Sequence, residues 1–217
     1  NSEYDEIAPL PEDNEPDRIA DPLEPVNRVV FHFNDKLYFW VLKPVAKGYS
    51  VVVPEDIRIS VRNFFVNLSA PVRIVNNLLQ FKIEGAGTEL LRFGVNSTMG
   101  MLGLYDVARI EMGISIRDED FGQTLGVWGL GPGIFLNWPF IGPSSLRDAI
   151  GYAGDYFLEP LNYLDPAISR MAIEAGNGIN GLSLSLGDYE GIKKDALDPY
   201  NAFKDIYYQY RKSKIER

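Results

Sequence analysis

The sequence predicts an all-α domain with one glycine-rich segment that is irregular or forms a hairpin. Apolar residues recur at helical spacing along most of the chain, and prolines stand where helices begin or end. Strand-like alternation occurs only at 126–141, and weakly. The surrounding 26-residue stretch, 121–146, has six glycines, three prolines and no charged residue. Its length suits a membrane span, but its glycines and prolines do not suit a spanning helix.

The first predicted helix, 26–43, is apolar on almost every side, with Asp35 and Lys36 as its main interruption. A helix without a polar face is buried or lies in lipid. We expect Pro44 to end this helix, because an interior proline removes a backbone hydrogen bond.

Three amphipathic helices are predicted next. Pro54 opens the first, Pro71 opens the second, and the third begins near Ile83. Each has its apolar residues on one side. These residues are Ile57, Val61, Phe64, Phe65 and Leu68, then Val72, Val75, Leu78 and Leu79, and then Ile83, Leu90, Leu91 and Val95.

The last predicted helix begins with Asp198 as N-cap and Pro199 at its first position. From Pro199 onward, five bases and two acids are interleaved with aromatic residues. This composition fits a helix at a membrane interface or a docking site, and equally a helix that only packs against the domain.

The net charge of −9 belongs to the N-terminal end. Residues 1–24 hold nine acids and one base, whereas from Pro25 onward 21 acids nearly balance 20 bases. This Pro-rich, acidic composition predicts a disordered tether over 1–20, followed by one helical domain over 21–217. We expect no nucleic-acid partner, because the body lacks clustered Lys and Arg.

The inventory of reactive groups does not favour an enzyme. There is no cysteine, and the single histidine, His32, stands between two phenylalanines without a nucleophile pattern nearby. For the acidic run 118–120, a solvated loop is favoured over a metal site, because the ligand spacing is wrong. We therefore predict no catalytic residue, no metal site and no cofactor.

Two segments are candidates for a binding or transport role. Gly129, Gly131 and Gly133 favour a hinge, with an ordinary hairpin turn as the alternative. In the helix that follows, Asp148 and Asp155 are seven residues apart and share a face. They line either a solvated surface or a wet passage, beside Arg147, whose guanidinium can bind phosphate or carboxylate.

Long segments of the chain resemble the VacJ/MlaA family of outer-membrane lipoproteins. They cover most of 21–200, in order and with similar spacing. The matching segments are DPLEPVNRVVFHFN (21–34), LKPVAKGYSVVVP (42–54), VRNFFVNLSAPVRIVNNLLQ (61–80), TELLRFGVNSTMGMLGLYDVA (88–108), DFGQTLGVWGLGPGIFLNWPFIGPSSLRDAIGYAGD (120–155) and DPY (198–200). The acidic lead and the missing lipid-bearing cysteine depart from the family pattern.

The resemblance implies a non-enzymatic phospholipid transporter component that maintains lipid asymmetry. Such a protein forms a ring of amphipathic helices around a central channel, in the inner leaflet of the outer membrane. It is lipid-anchored on the periplasmic side and passes mislocalised phospholipids to the soluble carrier MlaC, with trimeric porins as partners in some species.

The resemblance also implies roles for particular residues of this chain. Arg147, Asp148 and Asp155 match the channel-lining segment, and Gly129, Gly131 and Gly133 lie in a loop beside the channel. Trp40, Trp128 and Trp138 suit the headgroup level of a membrane. Two alternatives are a soluble periplasmic lipid- or fatty-acid-binding protein with a closed apolar pocket, and a lipid hydrolase.

Overall fold

The computed structural model describes residues 18–216, so most of the predicted tether over 1–20 lies outside the described residues. Residues 19 and 20, at the end of the predicted tether, belong to the folded domain. Ile19 is buried, and the Ala20 carbonyl accepts a hydrogen bond from the Phe135 N–H at 2.8 Å. The domain therefore begins before residue 21.

The described chain is mostly helical, which confirms the predicted class. Its α-helices are α1 Glu24–Leu37, α2 Lys43–Val52, α3 Glu55–Leu68, α4 Ala70–Leu79, α5 Ile83–Thr98, α6 Val107–Ile110, α7 Phe121–Val127, α8 Leu146–Asp155, α9 Ala167–Leu184, α10 Asp188–Asp195 and α11 Pro199–Ile215. A π-helical turn at Tyr38–Leu42 joins α1 to α2, and a 3₁₀ turn at Pro160–Tyr163 follows α8. Two strands, β1 Phe135–Trp138 and β2 Gly142–Ser145, form an antiparallel hairpin.

The expectation that Pro44 ends the first helix is wrong. The helical path continues from Glu24 to Val52, and Pro44 lies in the first turn of α2. Immediately before it, the Lys43 N–H bonds to the Tyr38 carbonyl, five residues back. Because this wider turn gives the proline ring room and spares the hydrogen bond that proline cannot make, the helical path continues past Pro44.

The other prolines confirm the predicted helix starts. Pro71 lies in the first turn of α4, and Asp198 caps α11 by accepting a hydrogen bond from the Tyr200 N–H at 3.0 Å. Pro54 occupies the N-cap position of α3, one residue before the predicted place. The chain therefore begins these helices where the sequence predicts.

The glycine-rich segment is more ordered than predicted. Its first residues form α7, and the hairpin pairs Phe135 with Ser145 and Trp138 with Gly142. The side chain of Asn27 in α1 holds the hairpin: its Nδ2 donates to the Phe135 carbonyl at 3.1 Å, and its Oδ1 accepts from the Asn137 N–H at 2.9 Å. The hairpin is thus bound to the first helix.

A small aromatic core supports this hairpin. Phe31 of α1 and Phe135 of β1 are buried, and their rings contact the ring of Tyr200 with centroids 5.8 and 6.1 Å apart. Phe203 and Tyr207 of α11 pack against the same cluster. Of the two alternatives for the last helix, the structure therefore favours packing.

Most of the interior is polar, and the large apolar side chains point outward. Buried polar residues outnumber buried apolar ones in the described chain, and on α3, α4 and α5 the inward positions are Arg58, Asn67, Arg73, Asn76, Asn77, Glu89, Arg92 and Asn96. By contrast, Ile57, Leu78 and Leu90 are exposed by 54%, 47% and 60%. The predicted apolar faces exist, and at these positions they form the outer surface.

Candidate functional site: a polar cavity between the helices

A buried ionic cluster fixes α4, α5 and α6 relative to one another. The Glu89 carboxylate has no solvent exposure and accepts hydrogen bonds from Arg73 Nε at 2.7 Å and from the Arg117 N–H at 2.6 Å. Arg92 donates to both oxygens of Asp106, at 3.1 and 3.0 Å. Two guanidinium groups and two carboxylates therefore balance one another, as buried charges must.

Beside this cluster lies a polar cavity formed by two adjoining hollows of about 260 and 410 Å³. Both hollows are lined by Ser69, Arg73, Asp118, Tyr152, Glu159 and Glu174. The first hollow also reaches Glu119, Asp120 and Asp155, and the second reaches Arg62. The wall thus carries six carboxylates and two guanidinium groups beside apolar side chains such as Phe65 and Val66, so it offers polar partners for a charged headgroup.

The acidic run 118–120 contributes three of these carboxylates, and each has a basic partner. Lys214 Nζ lies 3.2 Å from Asp118, Lys82 Nζ lies 2.8 Å from Glu119, and Arg211 donates to Asp120 at 2.8 Å. The interpretation of this run as a solvated loop is wrong for Glu119 and Asp120, which are partly buried in the cavity wall. Within residues 18–216, no group of three or more His, Asp or Glu side chains is placed to hold a metal ion.

Arg211 of α11 joins two acidic segments. Besides Asp120, its Nε lies 2.7 Å from Asp148 Oδ2, an oxygen that also accepts a hydrogen bond from the Tyr207 hydroxyl. Burial raises the pKa of Asp120, but the hydrogen bonds and charge of Arg211 outweigh it and hold that pKa below its ordinary value. The last helix is therefore bound to one side of the site by ion pairs.

Among the described residues, no Lys or Arg forms an ion pair with Asp155. Its carboxylate accepts hydrogen bonds from Asn76 Nδ2 at 2.7 Å and from the Phe121 N–H at 3.0 Å. Burial raises the pKa of Asp155 to about 6, and the charge of Asp120 adds to this, against the opposing effect of the two hydrogen bonds. The group therefore changes charge near physiological pH.

We expect the protonation of Asp155 to be visible in the pH dependence of stability. A folded-state pKa above the unfolded value means that the folded protein binds the proton more tightly, so this contribution to stability grows as the pH falls from about 7 to 4. Relative to Asp155→Asn, the wild-type free energy of unfolding should rise by about 2–3 kcal/mol across that window. Chemical denaturation in detergent at several pH values measures it.

The control for this experiment is Asp56→Asn, which alters an exposed acid in the first turn of α3. The difference in the free energy of unfolding between the wild type and Asp56→Asn should change little over the same pH range. A wild-type minus Asp155→Asn difference that stays constant between pH 4 and 7 would show that Asp155 does not titrate there.

The structure brings together only part of the predicted channel residues. Asp148 and Asp155 line a third hollow of about 240 Å³, which shares Asp120, Tyr152 and Asp155 with the cavity. Arg147 donates from Nε to Asp148 at 3.0 Å, but it lines a separate hollow of about 200 Å³ next to Gly129 and Gly131. A channel-lining role for Arg147 thus stays a prediction.

The predicted hinge glycines differ in conformation. Gly129 and Gly133 have φ values of +92° and +69°, which favour glycine, whereas Gly131 does not need a positive φ. Gly129 follows α7, and Gly133 immediately precedes the hairpin region. Whether they act as a hinge stays a prediction, as does the position of the loop beside a channel.

The three tryptophans lie at the surface. Trp40, Trp128 and Trp138 are 74%, 54% and 42% exposed. Among the described residues, no helix is both long and apolar enough to cross a bilayer. The assignment of these rings to the headgroup level stays a prediction.

Sequence reasoning missed Arg73, Glu159 and Glu174 as cavity residues. Arg73 and Asn77 fall among the polar positions of α4, between the apolar residues used to identify the helix. The signal was available: these inward positions repeat at helical spacing and are unusually rich in Asn and Arg. A polar stripe of this kind is ordinarily assigned to solvent.

The sequence and the fold match one family along almost the whole chain. The profile of the MlaA lipoproteins matches residues 19–214. The MlaA lipoprotein of the intermembrane phospholipid transport system of Escherichia coli K12 is 33% identical over 195 residues, covering 88% of this chain and 76% of its own. An uncharacterised protein of Rickettsia bellii is 33% identical over 201 residues, covering 91% and 78%.

A solved structure shows the same architecture. It was described as the structural basis for maintenance of bacterial outer membrane lipid asymmetry, and it superimposes with a TM-score of 0.80 at 32% identity. The match covers 90% of this chain and 99% of that structure. The inward polar faces and the outward apolar faces thus belong to a fold that other proteins share.

Proposed function

The chain belongs to the MlaA lipoprotein family, and from this we propose that it is a non-enzymatic component of the outer membrane that removes mislocalised phospholipids from the outer leaflet. The phospholipid headgroup passes through the polar cavity, and the protein sits in the periplasm-facing leaflet. It then hands the lipid to a soluble periplasmic carrier. The identity of that carrier as MlaC, and the association with trimeric porins, stay predictions from the family resemblance.

One observation supports this proposal most strongly, namely the reversed polarity of the helices. Val29, Trp40 and Val52 on the α1–α2 path are exposed by 69%, 74% and 80%, while Arg73 and Glu89 are buried. Exposed apolar surface on this scale marks a membrane or protein contact. A polar interior within an apolar exterior is the arrangement that a headgroup needs to move at hydrocarbon depth.

A soluble lipid-binding protein with a closed apolar pocket is the alternative, and vesicle flotation separates the two. We expect the purified protein to float with vesicles of bacterial polar lipids and to aggregate when detergent is removed without lipid. A protein that stays monomeric in plain buffer and remains at the bottom of the gradient would contradict the membrane location.

Narrowing the cavity should block lipid removal. Ser69 lines both hollows, so Ser69→Trp fills space where a headgroup would pass. The chain would carry the leader and lipid anchor of the Escherichia coli relative and replace that relative in cells. We expect the wild type to keep outer-leaflet phospholipid low. In Ser69→Trp, the removal of this phospholipid should be at least about tenfold weaker, because the ring displaces the headgroup from its path.

The matched control is Ile57→Trp, which places the same ring on the outer face of α3, where Ile57 is 54% exposed. This variant should retain activity. If Ser69→Trp were as active as Ile57→Trp at equal protein level, passage through the polar cavity would be excluded.

A further inference from the structure

We propose that the polar cavity prefers phospholipids whose headgroup carries an ammonium group, the zwitterionic class, over phospholipids with anionic headgroups. The inference rests on the proposed function and concerns the charge that the cavity wall leaves uncompensated. It names the chemical class that the passage accepts best.

Within the described chain, the cavity has carboxylates without a close basic partner. Glu159 accepts one hydrogen bond, from the Ser69 hydroxyl at 3.2 Å, and no Lys or Arg lies within 4 Å of it. Glu174 lies 3.9 Å from Arg170, which instead donates at 3.2 Å to the Tyr156 hydroxyl and to the Asn162 carbonyl. Because each acid of the run 118–120 has a basic partner, the uncompensated negative charge that faces the cavity belongs to Glu159, to Asp155 and, in part, to Glu174.

The same cavity holds a donor suited to phosphate. The side chain of Arg73 is only 8% exposed and uses Nε for Glu89, while its two Nη groups have no partner among the described residues. Arg73 lines both hollows, together with Glu159 and Glu174. A guanidinium with free donors binds a phosphate oxygen strongly, and it is held here by a buried carboxylate.

These two features fit the two charges of a zwitterionic headgroup. The phosphate of the lipid would meet Arg73, and its ammonium would meet the carboxylate of Glu159, which has no basic partner, and that of Glu174, whose pairing with Arg170 is long at 3.9 Å. An anionic headgroup offers the phosphate but leaves the carboxylates without a cation, so a second negative charge is repelled. Arg62 and Glu174 both line the second hollow and are exposed, so solvent screens both charges, and the partly buried Glu159 gives the stronger attraction for the ammonium.

Competition between two lipids tests the proposal. The detergent-purified protein is incubated with vesicles containing equal amounts of phosphatidylethanolamine and phosphatidylglycerol with identical acyl chains, in EDTA. It is then reisolated, and its bound lipid is quantified by mass spectrometry. We expect the ratio of bound phosphatidylethanolamine to phosphatidylglycerol to exceed that of the vesicles by about fivefold, as one partly exposed ion pair provides.

The double variant Glu159→Gln, Glu174→Gln should bring this ratio close to that of the vesicles without reducing total bound lipid. Its control is Glu55→Gln, Asp56→Asn, which removes two exposed acids from the first turn of α3 and should keep the wild-type ratio. Thermal unfolding of each variant confirms that it is folded, and the wild-type ratio is informative by itself.

The outcomes separate the two proposals. Equal binding of both lipids by the wild type, or an unchanged preference in the folded double variant, would overturn the headgroup inference while leaving lipid transport in place. A wild-type protein that retains no lipid of either kind would instead contradict the proposed function.

Discussion

Glu89→Gln should lower the free energy of unfolding by about 3–5 kcal/mol, the cost of removing one partner from a buried ion pair. Glu89 has no solvent exposure, and its carboxylate holds Arg73 Nε at 2.7 Å and the Arg117 N–H at 2.6 Å. The glutamine side chain in the variant has only one acceptor oxygen. If that oxygen accepts from Arg73, the hydrogen bond from the Arg117 N–H is lost. If it accepts from the Arg117 N–H, the NH₂ group faces the Arg73 donor. Arg73 and Arg92 then lie in the interior with only Asp106 to balance them.

Thermal unfolding in detergent measures this effect, and a loss of roughly 10 °C or more is expected for a domain of this size. Glu84→Gln is the control on the same helix, because Glu84 is exposed in the first turn of α5. It should cost less than about 1 kcal/mol, the contribution of an exposed charge near a helix end. If the two variants melted at the same temperature, the buried cluster would not be what holds α4 and α5 together.

Arg211→Gln should cause the second largest loss in the free energy of unfolding, and the size of this loss should depend on pH. At neutral pH it leaves Asp120 and Asp148 without their shared cation, at a cost of about 3 kcal/mol. In the variant, Arg211 no longer outweighs the effect of burial on Asp120, so the pKa of Asp120 should rise above its unfolded value. The stability of the variant should therefore recover as the pH falls from about 7 toward 4, because the folded state takes up protons more readily.

In the wild type, Asp120 should give the opposite dependence of stability on pH. Its Asp120 has a lowered pKa, so the stability that the Arg211 pair provides is present above about pH 4 and is lost only below it. Arg62→Gln is the control, since Arg62 lines the cavity but is exposed and unpaired within the described chain. A cost for Arg211→Gln that is the same at pH 5 and pH 7.5 would contradict the assignment.

The secondary structure could largely be predicted because it depends on local rules. Pro71 and the Asp198–Pro199 pair begin helices for reasons contained in a few residues, and the structure confirms them. The continuation of the first helix through Pro44 could not be predicted, because it depends on the π turn at Tyr38–Leu42. Nothing in a local pattern specifies an i to i−5 hydrogen bond.

The direction in which each helix faces could not be predicted from periodicity alone. The spacing of Ile57, Leu78 and Leu90 identifies a stripe, but in water that stripe would face inward and in lipid it faces outward. The solvent around the helix decides which way the stripe faces, and the spacing of apolar residues does not reveal that solvent. Arg147 and Asp148 line different hollows for the same reason, because neighbours on a helix point to different sides and only packing shows what each side meets.

The unbroken helical path from Glu24 to Val52 has a consequence for orientation. At about 1.5 Å per residue, these 29 residues form a rod about 43 Å long. One leaflet of hydrocarbon is only about 15 Å deep, half of a bilayer core. Val26, Phe33, Val45 and Val51 are exposed along the whole rod, so it avoids water only when it lies nearly parallel to the membrane plane. In the proposed membrane location, this continuous helical path, bound at one end to the hairpin and at the other to α9, would set the tilt of the entire domain and the depth of its cavity.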